Sequence, residues 1–190
     1  MEADEVLMVR AQAGDREAFG SLATRYETPL FRFFCRMGAE TDAAADLFQE
    51  TILQLYERLD AYDPARLFRA WLYGIAHLVW KDSRRQAARR LERLTRWATL
   101  ERGLPEEPPA GQDLDAGLDR DLIGVAVRLA ISHLSEEHRA VLILRHYQEL
   151  TYPEIAEALG IPVGTVKSRM HHALRGVKSD LSRKKVLEVG

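Results

Sequence analysis

Apolar residues recur along the chain at helical spacing, and no stretch shows strand-like alternation or a paired-strand turn. Ala44, Leu47, Phe48, Thr51, Ile52, Leu55, Tyr56 and Leu59 follow an i, i+3, i+4, i+7 pattern, which predicts a helix with that face buried. Its opposite face carries Asp46, Gln49, Glu50, Leu53 and Glu57. After a turn-like DAYDPA at 60–65 comes a second stripe: Phe68, Trp71, Leu72, Ile75 and Val79. At about 100° per residue, the far side of that helix holds Arg69, Tyr73, His77, Trp80, Lys81 and Arg84. Aromatics and cations interleave on a face expected to be exposed.

The second half carries complete helix punctuation. Ser135 is a good N-cap, with Glu136 and Glu137 in the positive first turn and Val141, Leu142 and Leu144 following. Thr151 and Glu154 have capping-box spacing, Leu150 and Ile155 the spacing of a hydrophobic staple, and Pro153 stands in the first turn, where a missing N–H costs nothing. Gly160 suits a left-handed exit. A further helix starts within PVGTV, with the stripe Val166, Met170, Ala173, Val177 and Leu181. A short capped helix, a Gly turn and a basic amphipathic helix together predict a helix-turn-helix.

Charge divides the chain. The net charge of -2 over 190 residues suggests no nucleic-acid partner, but its local sign does. Residues 81–102 carry +5, 103–121 carry -5 and 163–185 carry +6. The acidic GLPEEPPAGQDLDAGLD, with Pro and Gly and no periodicity, reads as a flexible linker. We therefore expect an all-α protein of two small helical domains, at 1–100 and 121–185, joined by a linker at 101–120.

Several function classes fall away. No apolar run approaches the roughly 20 residues of a membrane span, and MEADEVLMVR is acidic rather than a basic leader, so a cytoplasmic protein without membrane insertion is expected. Cys35 is the one cysteine, so no intrachain disulfide can form; within FRFFCRM it reads as a plain buried thiol. The histidines form no HExxH pair, and neither a Gly-rich phosphate loop nor a nucleophile motif is present. No enzyme, cofactor, metal or small-molecule substrate is expected.

Two surfaces have chemistry suited to DNA. Opposite the Val166–Val177 stripe lie Ser168, His171, His172 and Arg175, with Thr165, Lys167 and Arg169 beside them: hydrogen-bonding groups for base edges and cations for phosphates. The Tyr73, His77 and Trp80 face offers stacking platforms among cations, which suit unpaired bases, although the same aromatics could pack against a neighbouring helix. Leu53, ringed by Asp46, Gln49 and Glu50, reads either as a solvated face or as a small protein docking site.

With these residues placed, the chain resembles the extracytoplasmic-function sigma factors, small sigma subunits of RNA polymerase. The resemblance is carried by GDREAFGSLATRYETPLFRF, DAAADLFQETILQLYERLDAYDP, FRAWLYGIAHL with the Arg run, and LSEEHRAVLILRHYQELTYPEIAEALGIPVGTVKSRMHHAL. It implies a sigma-2-like first domain and a sigma-4-like second domain. Asp46, Gln49, Glu50 and Leu53 would dock on core polymerase. Asp60, Tyr62, Asp63 and Arg66 in the loop, with Arg69, Tyr73, His77, Trp80, Lys81 and Arg84, would capture the melted minus-ten strand. Thr165, Lys167, Ser168, Arg169, His171, His172 and Arg175 would read the minus-thirty-five duplex.

An anti-sigma factor is a further implied partner. The family commonly has Arg-Asn where this chain has His77 and Leu78, and frequent Arg where it has His172 and Leu174, so promoter sequence does not carry over from relatives. Extended, the linker spans up to roughly 55 Å, enough with both domain radii to reach two turns of DNA, roughly 70 Å. A conventional activator or repressor would use the same helix-turn-helix on symmetric half-sites.

Overall fold

The computed structural model describes residues 2–100 and 122–183, with side chains described for 2–94 and 124–183. The linker expected at 101–120 lies outside the described residues, as do Arg102, Lys184, Lys185 and the side chain of Arg96.

The described chain is helical: α1 (Asp4–Gln12), α2 (Arg16–Met37), α3 (Thr41–Glu57), a 3-10 turn (Leu59–Ala61), α4 (Phe68–Leu100), α5 (Leu122–Ser132), α6 (Glu136–His146), α7 (Tyr152–Leu159) and α8 (Val163–Arg183). Periodicity anticipated α3, α4 and α6–α8. It assigned nothing to α1, α2 or α5; α1 is a short helix that buries Leu7, Met8 and Ala11.

Local chemistry sets the helix ends. The Asp15 carboxylate accepts the Glu17 and Ala18 N–H groups at 3.0 and 3.1 Å and so starts α2; Gly38, at φ +106°, ends it. Glu5 of α1 caps a distant helix, accepting the Phe68 N–H at 3.1 Å where α4 begins. Around α7 the expected capping box is formed, with Glu154 accepting the Thr151 N–H at 2.7 Å, and Gly160 leaves in the left-handed region at φ +63°. Ser135 occupies the N-cap of α6 without a side-chain capping bond.

One continuous hydrophobic core runs through both halves, joining Leu22, Leu30, Phe33 and Phe34 of α2 and Leu72 of α4 to Val141 and Leu144 of α6, Ile155 of α7 and Met170 of α8. Side chains of this size each gain about 1.5–3 kcal/mol on full burial, so this shared core is the main force holding the halves together. Two small clusters fasten α5 to α8 and α6, one around Ala130 and Leu181, the other around Ile131, Leu142 and Ala173.

Two expectations about burial are corrected. Tyr56, placed on the buried stripe of α3, is 54% exposed and meets Phe19 edge-on at 5.3 Å, because α3 stands at the periphery and its stripe is wider than its neighbours cover. Cys35 is half-buried rather than enclosed. Thr51 is fully buried as expected, its hydroxyl donating to the Leu47 carbonyl at 2.7 Å.

Candidate nucleic-acid interface

Docking residues were expected on α3, and Asp46, Gln49, Glu50 and Leu53 all stand exposed on one face of it, Leu53 at 53%. Gln54 donates to the Glu50 carboxylate at 2.9 Å. Tyr56, three residues beyond Leu53, extends the apolar strip among these polar groups. Its place on the wider hydrophobic stripe hid it from the sequence reading.

The duplex-reading set lies along α8. Lys167, Ser168, His171, His172 and Arg175 are exposed, whereas Thr165 and Arg169 are half-buried. Arg169 is held by Glu137 of α6 at 2.6 Å. The His172 ring stacks on His138 at 5.7 Å, and its Nδ1 lies 3.3 Å from Arg175 Nη2. The Ser168 hydroxyl donates to the Thr165 carbonyl at 3.0 Å, as an unengaged hydroxyl on a helix does. Val166, Met170 and Ala173 are buried, so the opposite face is turned outward as the periodicity predicts.

The minus-ten set behaves differently. Asp60, Asp63, Arg66, Lys81 and Arg84 are exposed and Arg69 is half-buried. Tyr62, expected in an accessible loop, is 3% exposed; its ring packs on Trp71 at 5.0 Å and its hydroxyl donates to the Arg66 carbonyl at 2.6 Å. Gln12 of α1 pins the same loop, donating to the carbonyls of Leu59 and Tyr62 at 2.8 and 2.9 Å. The loop is thus folded around Tyr62 instead of presenting it.

Tyr73, His77 and Trp80 were expected on an exposed face. In the structure Tyr73 is fully buried, Trp80 is 4% exposed and His77 is half-buried. Tyr73 is enclosed from both halves, its ring edge-on to Phe33 of α2 at 5.3 Å and its hydroxyl against Gln148 in the turn between α6 and α7. Tyr73 donates its hydroxyl to Gln148 Oε1 at 2.5 Å, and burial pushes its phenol above the ordinary range. A Cβ on Gly74 would stand 3.0 Å from the Ala158 carbonyl oxygen, so the α4 and α7 backbones nearly touch. Arg66 pairs with Glu157 at 2.5 Å and Arg84 with Glu136 at 2.8 Å. Periodicity along one helix cannot show which distant helix covers its outer face. The small residues Gly74 and Ala158 were the available signal.

Polar groups are trapped at this junction. Among the described residues, His77 Nδ1, Trp80 Nε1 and Arg139 Nε are buried without a hydrogen-bond partner. Burial, with help from Lys81 and Arg169, pulls the His77 imidazole down to about 4 against the opposing pull of Glu136 and Glu137. Arg139 still crosses between halves, donating to the Met37 carbonyl at 2.6 Å. The Arg36 guanidinium lies 4.1 Å from the centre of the Tyr147 ring.

Among the described residues no group of three or more His, Cys, Asp or Glu could hold a metal ion, and no helix is long and apolar enough to cross a membrane.

Comparison with known proteins fits this arrangement. The model of Sigma-70 region 2 matches residues 22–90, and that of Sigma-70, region 4 matches residues 124–175. The ECF RNA polymerase sigma factor SigL of Mycobacterium tuberculosis is 34% identical, covering 90% of this chain and 93% of its own. SigW of Bacillus subtilis is 27% identical over 90% of this chain and 93% of its own. Among solved structures, CnrH in complex with the cytosolic domain of CnrY superposes with a TM-score of 0.68 at 27% identity, covering 96% of this chain and 99% of that one. RpoE of Bartonella quintana, solved with the anti-sigma factor NepR, shares the fold, with a TM-score of 0.67 at 21% identity over 86% of this chain and 96% of its own.

The chain belongs to the extracytoplasmic-function sigma factors of the sigma-70 family. It is a transcription initiation factor that directs RNA polymerase to promoters.

Proposed function

We propose that three surfaces divide the work of initiation. Asp46, Gln49, Glu50 and Leu53 dock on core polymerase. Asp60, Tyr62, Asp63, Arg66, Arg69, Tyr73, His77, Trp80, Lys81 and Arg84 serve the melted minus-ten strand. Thr165, Lys167, Ser168, Arg169, His171, His172 and Arg175 read the minus-thirty-five duplex. The first unit spans 1–100 and the second 121–185, with 101–120 linking them. The factor acts in the cytoplasm, where promoter DNA and polymerase are, and has no catalytic step of its own.

The observation that carries this reading is the outward, donor-bearing face of α8, which follows a capped α7 and the left-handed Gly160. Such a helix can enter the major groove, its cations meeting phosphates and its shorter polar groups meeting base edges. An anti-sigma protein is the further partner we infer; the complex of CnrH with the cytosolic domain of CnrY supports a protein partner of that kind. A conventional activator or repressor would leave the region 2 match at 22–90 without a role.

Reconstituted transcription with core polymerase on genomic DNA tests the reading. The factor should create new start sites sharing two sequence elements about two helical turns apart, roughly 70 Å. Tight footprinting of symmetric half-sites by the factor alone, with no new start sites, would overturn it.

A further inference from the structure

His138 stands in the first turn of α6, outside the helix whose face is assigned to the duplex, yet its half-buried ring stacks on His172 of α8. The ring centroids are 5.7 Å apart and the planes are inclined by 27°. His171 meets the same His172 ring edge-on at 5.8 Å. The neighbouring Glu137 holds Arg169 at 2.6 Å, so one turn of α6 braces two side chains of α8.

Arg175, one turn further along α8, fixes where the His172 proton sits. A guanidinium has donors and no acceptor, so the His172 Nδ1 that lies 3.3 Å from Arg175 Nη2 is the acceptor of that contact. An imidazole that accepts at Nδ1 carries its proton on Nε2. His172 is exposed, and its Nε2 is therefore a hydrogen-bond donor available to a ligand. Arg175 keeps further N–H groups beyond the one directed at His172, so the two side chains together present donors only.

A donor-only couple discriminates among bases in the major groove. Guanine presents two acceptors there, O6 and N7. Adenine places its N6 amino donor beside N7, cytosine offers the N4 amino donor, and thymine offers O4 beside a methyl group. Guanine is the one base whose edge matches two donors.

We propose that His172 and Arg175 together recognise one guanine of the duplex element, and that His138 is the positioning residue that holds the His172 ring for this contact. The inference rests on assigning the outward face of α8 to duplex DNA. An unsupported surface histidine loses rotamer freedom when it meets a base, whereas a ring already stacked on a neighbour has less freedom to lose.

The test uses the full chain assembled with core polymerase, and promoter duplexes from the mapped start sites in which each base pair of the minus-thirty-five element is changed in turn. Competition binding gives the preference at each position. At one position the wild type should favour guanine over adenine at least about tenfold, the size of a good two-donor base contact. A 7-deazaguanine there, which lacks the N7 acceptor, should erase most of that preference. His172→Ala should abolish it at that position and leave the other positions unchanged. His138→Ala should lower it at least about threefold, and His138→Phe, which keeps a ring to stack on, should restore it. A merely structural role for His138 would weaken binding to all duplexes alike and leave the guanine preference intact, which overturns the positioning role. An intact guanine preference in His172→Ala, or none in the wild type, overturns the guanine assignment. If Lys167→Ala and Ser168→Ala also leave every duplex affinity unchanged, the assignment of the α8 face to duplex DNA fails instead.

Discussion

Tyr73 of α4 donates its phenolic hydrogen bond to Gln148 at 2.5 Å, joining residues 75 positions apart across the two halves of the chain. The bond is part-buried, with Tyr73 enclosed and Gln148 half-buried, so removing Gln148 strands the phenolic hydroxyl. Tyr73→Phe and Gln148→Leu should each destabilise the folded chain by about 1–2 kcal/mol in urea titrations, and the double variant should cost less than the sum. Additive losses in the double variant would show that the two groups do not act as a pair.

His77 makes the closed junction sensitive to acid. Its imidazole titrates near 4 when closed, against an ordinary value near 6.5, so closure binds the neutral ring. Lys81 and Arg169 beside it oppose protonation, while Glu136 and Glu137 favour it. The stabilisation is complete above pH 6.5 and lost as pH falls towards 4; at pH 5 roughly 2 kcal/mol of it is gone. Scattering across this range should show the wild type expanding on acidification, and His77→Gln should flatten the response. An equally steep response in His77→Gln would assign it to other groups.

On α8 the side chains proposed to read duplex DNA should separate into two kinds of contact. Ser168→Ala should weaken binding of a cognate promoter duplex by about 1–3 kcal/mol where a base contact is lost, with little effect on unrelated duplexes. Lys167→Ala should weaken all duplexes alike and lower the salt dependence by about one unit of slope. Competition binding at two salt concentrations tells them apart.

Leu53→Arg with Asp46→Ala places a cation and removes an acid on the exposed face of α3. Neither side chain is part of the core, so helix content and melting temperature should stay close to wild type. Co-purification with core polymerase should be lost. A double variant that still co-purifies would move the docking face elsewhere.

The turn of the helix-turn-helix has its own energetics. Gly160 sits at φ +63° with open space around a would-be Cβ, so Gly160→Ala is strained by backbone conformation and by no clash. It should cost about 1 kcal/mol, similar to deleting the capping hydroxyl with Thr151→Ala. Chemical denaturation measures both.

These helices differ in how plainly the sequence announces them. The α7 signals are local: Thr151, Glu154 and Gly160 act within one or two turns, and the structure follows them. The α8 stripe from Val166 to Ala173 is buried where its period demands. Tyr73 and Trp80 show the limit. Their spacing puts them opposite one apolar stripe, but the outer face meets a second helix layer more than seventy residues later in sequence, and nothing local encodes that meeting. Gln148, Glu157 and Glu136 were invisible as contacts between the halves for the same reason, since a polar residue in a turn or first helical turn is ordinary until its partner is known. Helix α1 was missed because nine residues give too few periods to separate its buried Leu7, Met8 and Ala11 from chance.

The continuous core has a consequence for the newly made chain. Residues that complete it, such as Ile155 and Met170, are synthesised well after α4 has left the ribosome. At about 5–20 residues per second, the aromatic face of α4 stays uncovered for several seconds. Every molecule therefore passes through a stage at birth in which the apolar surface of α4 that the second half later completes is open to chaperones.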